Sequence, residues 1–333
     1  MRTQLHLRKY LAMRLFQYFP IALLLVALST GASASITRLY EQKFPVAQTD
    51  VIRLKAELFS GSIDIQVDDV PEIRATIRAV YEVESEAEAD RLHGDLRIGM
   101  QRNGNEIDVT ADYGRDIHWT FENWPPVKLA VTIIVPRHSD LDLATRDGSV
   151  TVARMQGNMK ARTRAGVIFF RGVEGSIQAE SDYSDIIISH CTGDLKLRCV
   201  SGEFRVGPVG GSADVYGHGG EIEAAASCRG LKAETSGADL IVGFRHPLST
   251  PATLRTGGGN IILTFDKRSA ATLDLRASLF GKVTCIKDSL SLNATTGALG
   301  KSRLAATLNG GGAIIDARAS GGSISVMADS SSD

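Results

Sequence analysis

Between Leu141 and Val152 the chain alternates apolar and polar positions. Leu141 and Leu143 lead up to Gly148, Val150 and Val152 follow it, and Asp142, Ala144 and Thr151 fall between. Spacing two is the period of a half-buried strand, so the stretch predicts strand, small-residue turn, strand. The unit recurs every 18 residues. From Gly148 the step lands on Gly166, Ser184, Gly202, Gly220 and Ala238, and from Val150 on Ile168, Ile186, Phe204, Ile222 and Leu240. Gly157, Gly175, Gly193 and Gly211 mark a second turn. One unit cannot bury its own apolar face, whereas units stacked in parallel about 4.8 Å apart bury them all in one core. The expectation is an all-β, right-handed parallel β-solenoid of about nine 18-residue coils, the hand following from the preference of parallel crossovers.

The register continues more loosely past Pro247 and Pro251. Gly258–Leu263, Gly281–Cys285, Gly312–Ile315 and Gly322–Val326 read as further coils, and Leu54–Ile65 repeats the Leu141–Val152 pattern upstream. Residues 68–140 interrupt it. Ile73, Ala75, Ile77 and Ala79 alternate in a strand, Ser85 caps a short helix with an acidic first turn, and Arg102-Asn103-Gly104-Asn105 joins two strands as a hairpin. Val127–Val135 is another strand. The expected organisation is therefore a first coil plus an N-terminal β-rich cap with one short helix over 35–140. Coils follow over 141–327, and a disordered tail over 328–333.

Composition adds an address. Arg2, Arg8, Lys9 and Arg14 precede the apolar Pro20–Leu28 run and the small-residue site Ala32-Ser33-Ala34, the form of an export signal over 1–34. Its removal takes four basic residues from 37, leaving 33 against 38 Asp and Glu, a mature charge of about −5. No basic face points to nucleic acid, and no second apolar run points to a membrane span. The expected location is the periplasm, the cell surface or the medium. Four cysteines (Cys191, Cys199, Cys228, Cys285) in an exported chain suggest disulfides, but their coils and columns do not match, so free buried thiols are expected.

These features together resemble the DUF4097 family of bacterial putative adhesins. The resemblance rests on the export signal, the early Leu54-Lys55-Ala56-Glu57-Leu58-Phe59-Ser60-Gly61-Ser62-Ile63-Asp64-Ile65 coil, the interrupting strand and helix region, and the strand ending Ile134-Val135-Pro136 before the repeats. It spans roughly Val51 to Val326 and implies a β-helix-like fold at the envelope or surface, with no catalytic motif to carry over.

Candidate chemistry can be sought by column. Asp185, Glu203, Glu221 and Asp239 stand directly after the turn residue in consecutive coils. Like charges at coil spacing repel, so this row is a candidate for a cation such as Ca²⁺ or for a basic partner, against the plainer reading of a solvated edge. Phe169 and Ile187 face outward by parity and form a candidate apolar contact patch, unless they pack beneath the N-terminal cap. The ladder of Lys160, Gln178, Lys196, Asp214 and Lys232 beside Arg162, Glu180, Arg198, Tyr216 and Glu234 reads as a solvated sheet face. Thr145, Thr163, Ser181 and Thr235 form a hydroxyl column.

No catalytic, cofactor or zinc motif emerges. The expected function is a noncatalytic, adhesin-like binding or scaffold protein that presents solenoid faces to an envelope protein or glycan. The alternatives are a carbohydrate-active β-helix enzyme, drawing on Asp147, Arg164, Asp182 and His218, and an envelope-stress sensing module.

Overall fold

The computed structural model describes residues 35–46, 51–68, 71–113, 127–226, 229–245, 250–286 and 290–329. The expected export signal, most of the expected tail and Cys228 lie outside them. Ser35–Asp333 forms one unit, built on two sheets of 13 and 14 strands.

The repeat becomes a stack of parallel coils, each giving one strand to either sheet. Met159–Ala165 lies between Ser139–Asp147 and Ile177–Ser181 with Met159 opposite Leu141 and Ile177, a step of 18 on both sides. Ile168–Arg171 repeats that relation in the facing sheet, with Ile168 opposite Val150 and Ile186. Inward positions from both sheets, Leu143, Ala161, Phe170, Leu197, Phe204 and Val215 among them, are fully buried in a single core.

Parallel pairing runs through eleven strands of each sheet, so there are eleven coils where about nine were expected. Two come from regions that the repeat alone misplaces. Glu106–Tyr113 and Val127–Val135 pair in parallel with Ile52–Leu58 and Ser62–Val67, Leu54 facing Ile107 and Ile63 facing Val131. They form a coil outside the first one in sequence. At the other end, Ala313–Ala319 and Ile324–Ala328 form one coil, with Gly322 as its turn, rather than the two coils that Gly312 and Gly322 suggested. It does not sit last. Ile315 faces both Ala252 and Leu273, and Ile324 faces both Ile261 and Val283, so this coil is wedged between 252–265 and 271–286. Identical registers suit any neighbour, which is why the repeat cannot reveal stacking order.

Antiparallel strands finish the stack. Glu72–Tyr81 pairs with Val127–Val135, Ile36–Pro45 with Glu72–Tyr81, and Leu96–Asn103 with Glu106–Tyr113 across the Asn103–Glu106 hairpin. Between them, α1 (Glu86–Asp95) starts at Ser85, whose hydroxyl accepts from the Glu88 N–H. Its Ala89 is buried and Leu92 packs on the core, so the helix covers that end of the apolar interior. At the far end Arg303–Leu308 pairs with Ala271–Arg276, and Leu292–Gly297 with Arg303–Leu308.

The turns need glycine for a steric reason. Gly166 has φ +142°, and a Cβ there would stand 2.2 Å from the Gly148 carbonyl oxygen of the coil below. Just inside this turn runs the hydroxyl column. Thr145 Oγ1 donates to Gly61 O (2.8 Å), Thr163 Oγ1 to Gly148 O (3.2 Å) and Thr256 Oγ1 to Ala238 O (2.7 Å). Cys199 occupies the same column and points its Sγ at Ser184 O, 3.4 Å away. Cys191 sits in the inward second-turn column between Val173 and Val209, its Sγ 3.0 Å from Gly175 O. Cys191 and Cys199 are buried free thiols.

Candidate functional site

Two turn edges run along the stack, and each carries a ladder of side chains. At the first, Asp185, Glu203, Glu221 and Asp239 stand one above another, as the register Ile186–Phe204–Ile222–Leu240 requires. Asp185 Oδ1 accepts from the Glu203 N–H at 2.9 Å, and Asp239 Oδ1 from the Asn260 N–H at 2.7 Å. The ladder runs on as Asn260 Oδ1 accepts from Ser323 N–H (3.0 Å) and Ser323 Oγ from Lys282 N–H (3.2 Å). Glu203 also takes Arg205 Nη2 at 3.1 Å. At Glu203, Asn260, Ser323 and Lys282 the backbone N–H that follows the turn residue thus finds its acceptor in a side chain one coil away. Hydrogen bonds to ionised carboxylates are the stronger kind, and they offset the repulsion that singled out the row. No group of three or more His, Cys, Asp and Glu able to hold a metal ion occurs among the described residues.

The second edge carries a matching ladder that sequence reasoning missed. Asp140 Oδ1 accepts from Asn158 N–H (2.8 Å), Asn158 Oδ1 from Ser176 N–H (3.4 Å), Ser176 Oγ from Asp194 N–H (3.2 Å), and Asp194 Oδ1 from Ser212 N–H (2.8 Å). The signal was in view, since Asn158, Ser176, Asp194 and Ser212 each follow a second-turn glycine. The Ser212 N–H and hydroxyl hold the Asp194 carboxyl below its ordinary range.

Between the edges the outward side chains pair along rows and diagonally between neighbouring rows. Arg162 lies 3.9 Å from Asp142 and 3.7 Å from Glu180, and Arg198 Nη2 lies 2.7 Å from Asp214 Oδ2. That contact pulls the Asp214 carboxyl below its usual value against the opposing effect of burial. The row ends in arginines, with Arg255, Arg318, Arg276 and Arg303 on four adjacent strands.

Phe169 and Ile187 are adjacent and half-buried on the outer face of the other sheet, in a row that continues through Arg205, Glu223 and Ile241. The described strands of 68–140 do not cover this face. They join the sheets edge to edge, because their alternation suits sheet extension rather than stacking on a second layer. His218 and Asp182, held by the enzymatic alternative, stand two coils apart with Val200 between them. His218 Nε2 meets Tyr216 OH and its Nδ1 meets Ser236 Oγ, both at 3.3 Å.

Solved structures resemble this chain along most of its length. A putative adhesin from Bacteroides fragilis NCTC 9343 shares 11% identity over 87% of this chain and 97% of its own, at a TM-score of 0.38. A putative adhesin from Parabacteroides merdae ATCC 43184 shares 12% over 87% and 96% (TM-score 0.43), and a putative lipid binding protein from Parabacteroides distasonis ATCC 8503 shares 14% over 86% and 96% (TM-score 0.44). No family model and no curated protein matches. At these identities none of the neighbours' chemistry carries over to this chain.

Proposed function

We propose that the protein is an exported, noncatalytic binding or scaffold protein of the bacterial envelope, of the adhesin-like DUF4097 kind, that presents its solenoid faces to a protein or glycan. One observation carries the reading. Charged side chains over consecutive coils pair along a row, as Arg162 does with Glu180, and diagonally between neighbouring rows, as Arg162 does with Asp142 and Arg198 with Asp214, so the chemistry is spread over flat faces. A hydrolytic or lyase site requires acids and bases gathered at one point. The half-buried Phe169 and Ile187 give one face an apolar contact strip, the kind of feature on which a partner's affinity concentrates.

The test presents the Ser35–Asp333 unit to immobilised envelope glycans and envelope protein extract, with and without Ca²⁺, and assays every glycan for cleavage. Saturable binding without products, weakened about tenfold by Phe169→Ser with Ile187→Ser, supports the proposal. Glycan cleavage abolished by His218→Ala or Asp182→Asn overturns it.

A further inference from the structure

The first turn of the 271–286 coil departs from the common register. Leu275 faces Ala317 and Val283 faces Ile324, so eight steps on this coil match seven on its neighbour. The extra residue lies in the five-residue turn Ala277-Ser278-Leu279-Phe280-Gly281, where the neighbouring coils carry the four residues Ala319-Ser320-Gly321-Gly322 and Thr256-Gly257-Gly258-Gly259. Leu279 is 85% exposed and Phe280 92%. The turn is nevertheless fixed, since Ser278 N–H donates to Gly322 O (3.1 Å) and Gly281 N–H to Ser278 O (3.0 Å). A second turn is hydrogen-bonded to it. Ala277 N–H donates to Ser302 O, Val283 N–H to Lys301 O and Gly300 N–H to Val283 O, which brings up Leu299, itself half exposed.

Basic residues rim this tip. Lys282, Lys301 and Arg303 are exposed, and Arg255, Arg318 and Arg276 continue the rim across the sheet. Asp316 answers Arg255 and Arg318, and Asp274 answers Arg276. Six cations against two carboxylates leave about +4 here, on a chain whose overall charge is −1.

We propose that this end of the solenoid docks on an anionic lipid bilayer, with Leu279 and Phe280 entering the interface and Lys282, Lys301 and Arg303 meeting the headgroups. Convexity favours a bilayer. Side chains this exposed have almost nothing beside them, and a protein partner would need a matching cavity, whereas lipid closes around any apolar tip. Charge disfavours a second copy, because a symmetric contact would press two basic rims together. Apolar insertion with adjacent cations is the chemistry of peripheral membrane binding.

The experiment is flotation of the Ser35–Asp333 unit, within which both sheets are complete, on vesicles of pure phosphatidylcholine and of phosphatidylcholine with about 30 mol% phosphatidylglycerol, whose negative surface potential attracts cationic side chains. The expected partition coefficient is about tenfold higher on the anionic vesicles. It falls about tenfold for Leu279→Ser with Phe280→Ser, falls severalfold for Lys282→Gln with Lys301→Gln, and declines with added salt. Circular dichroism of each variant confirms the fold, which surface positions should leave intact. Equal partition on the two vesicle types, or an apolar variant that binds like the parent, overturns the proposal. So does a doubled mass in sedimentation, abolished by the same apolar variant, with no vesicle binding. Loss of vesicle binding would leave the glycan and protein assay above unaffected, so the two readings fail separately.

Discussion

Replacing Gly166 by alanine tests whether the turn columns hold the coils at their spacing. At φ +142° an L-residue is strained, by about 1–3 kcal/mol. The added methyl would also stand 2.2 Å from Gly148 O, so the coils must part by about 1 Å to restore ordinary contact. That movement stretches the Gly148 N–H to Ala165 O bond (2.7 Å) and the Val150 N–H to Val167 O bond (3.0 Å) beside it. Weakening two such bonds costs about 1–2 kcal/mol together. The expected loss is about 2–5 kcal/mol, a large share of the roughly 5–15 kcal/mol typical of a folded domain. Two other glycines separate strain from crowding. Gly172 has φ +66° and nothing within 4 Å of a Cβ, so Gly172→Ala should cost about 1–2 kcal/mol from backbone strain alone. Gly94, on α1, also has open space and no positive φ, and Gly94→Ala should stabilise by about 0.5–1 kcal/mol. Urea unfolding followed by far-UV circular dichroism ranks the three by midpoint at constant slope. A Gly166→Ala midpoint equal to that of Gly172→Ala would refute the argument, because crowding between coils would then contribute nothing.

Four further outcomes are expected. The Asp194 carboxyl is held below its ordinary range by Ser212, so its contribution is present above the unfolded carboxylate value near 4 and is lost as pH falls through the lower folded value. Asp194→Asn keeps an acceptor, as Asn158 does naturally on the same ladder, but not the charge, so the variant should be less stable than the parent at neutral pH while its fall in urea midpoint on acidification becomes shallower. Thr163→Val removes the donor to Gly148 O and should cost about 1 kcal/mol in the same assay. A double-mutant cycle on Arg198 and Asp214, which are partly exposed and 2.7 Å apart, should return a coupling of about 0.2–1 kcal/mol. Cys191 and Cys199, whose thiols burial pushes up, should react with a thiol reagent only on unfolding, as mass spectrometry would resolve.

The middle of the stack was legible because its information is local and periodic. Parity assigned Val150, Ile168 and Ile186 inward and Thr151, Phe169 and Ile187 outward, and the 18-residue step placed each opposite its neighbours. The hydroxyl column was legible for the same reason. The stacking of the carboxylate row was legible, but the backbone N–H groups that Asp185 and Asp239 meet were not, because parity gives a side chain's position without the donor it will face. Asp185 reads as a surplus charge until the Glu203 N–H appears 2.9 Å away. Leu279 and Phe280 were not legible from the columns, because a turn with one extra residue belongs to none. Their signal is compositional, two large apolar residues together where the two coils next in the stack carry Ser320-Gly321-Gly322 and Gly257-Gly258-Gly259.

The two out-of-order coils share one physical consequence. The first coil in sequence, 52–65, lies inside the 106–135 coil, and the last, 313–328, lies inside the 271–286 coil. The chain winds outward at each end and returns, so neither terminal segment of the repeat is left as an open parallel face. Beyond these coils the sheets finish in antiparallel strands, with one exception, the four-residue Val283–Ile286 at the edge of the 13-stranded sheet. A short strand is a poor template for another chain's edge. The same coil carries Leu279, Phe280 and the basic rim. Protection against edge-to-edge growth and the exposed apolar tip therefore belong to one construction. The 271–286 coil is held on its inner side by a returning coil, which leaves its outer turn free of packing duty and able to project.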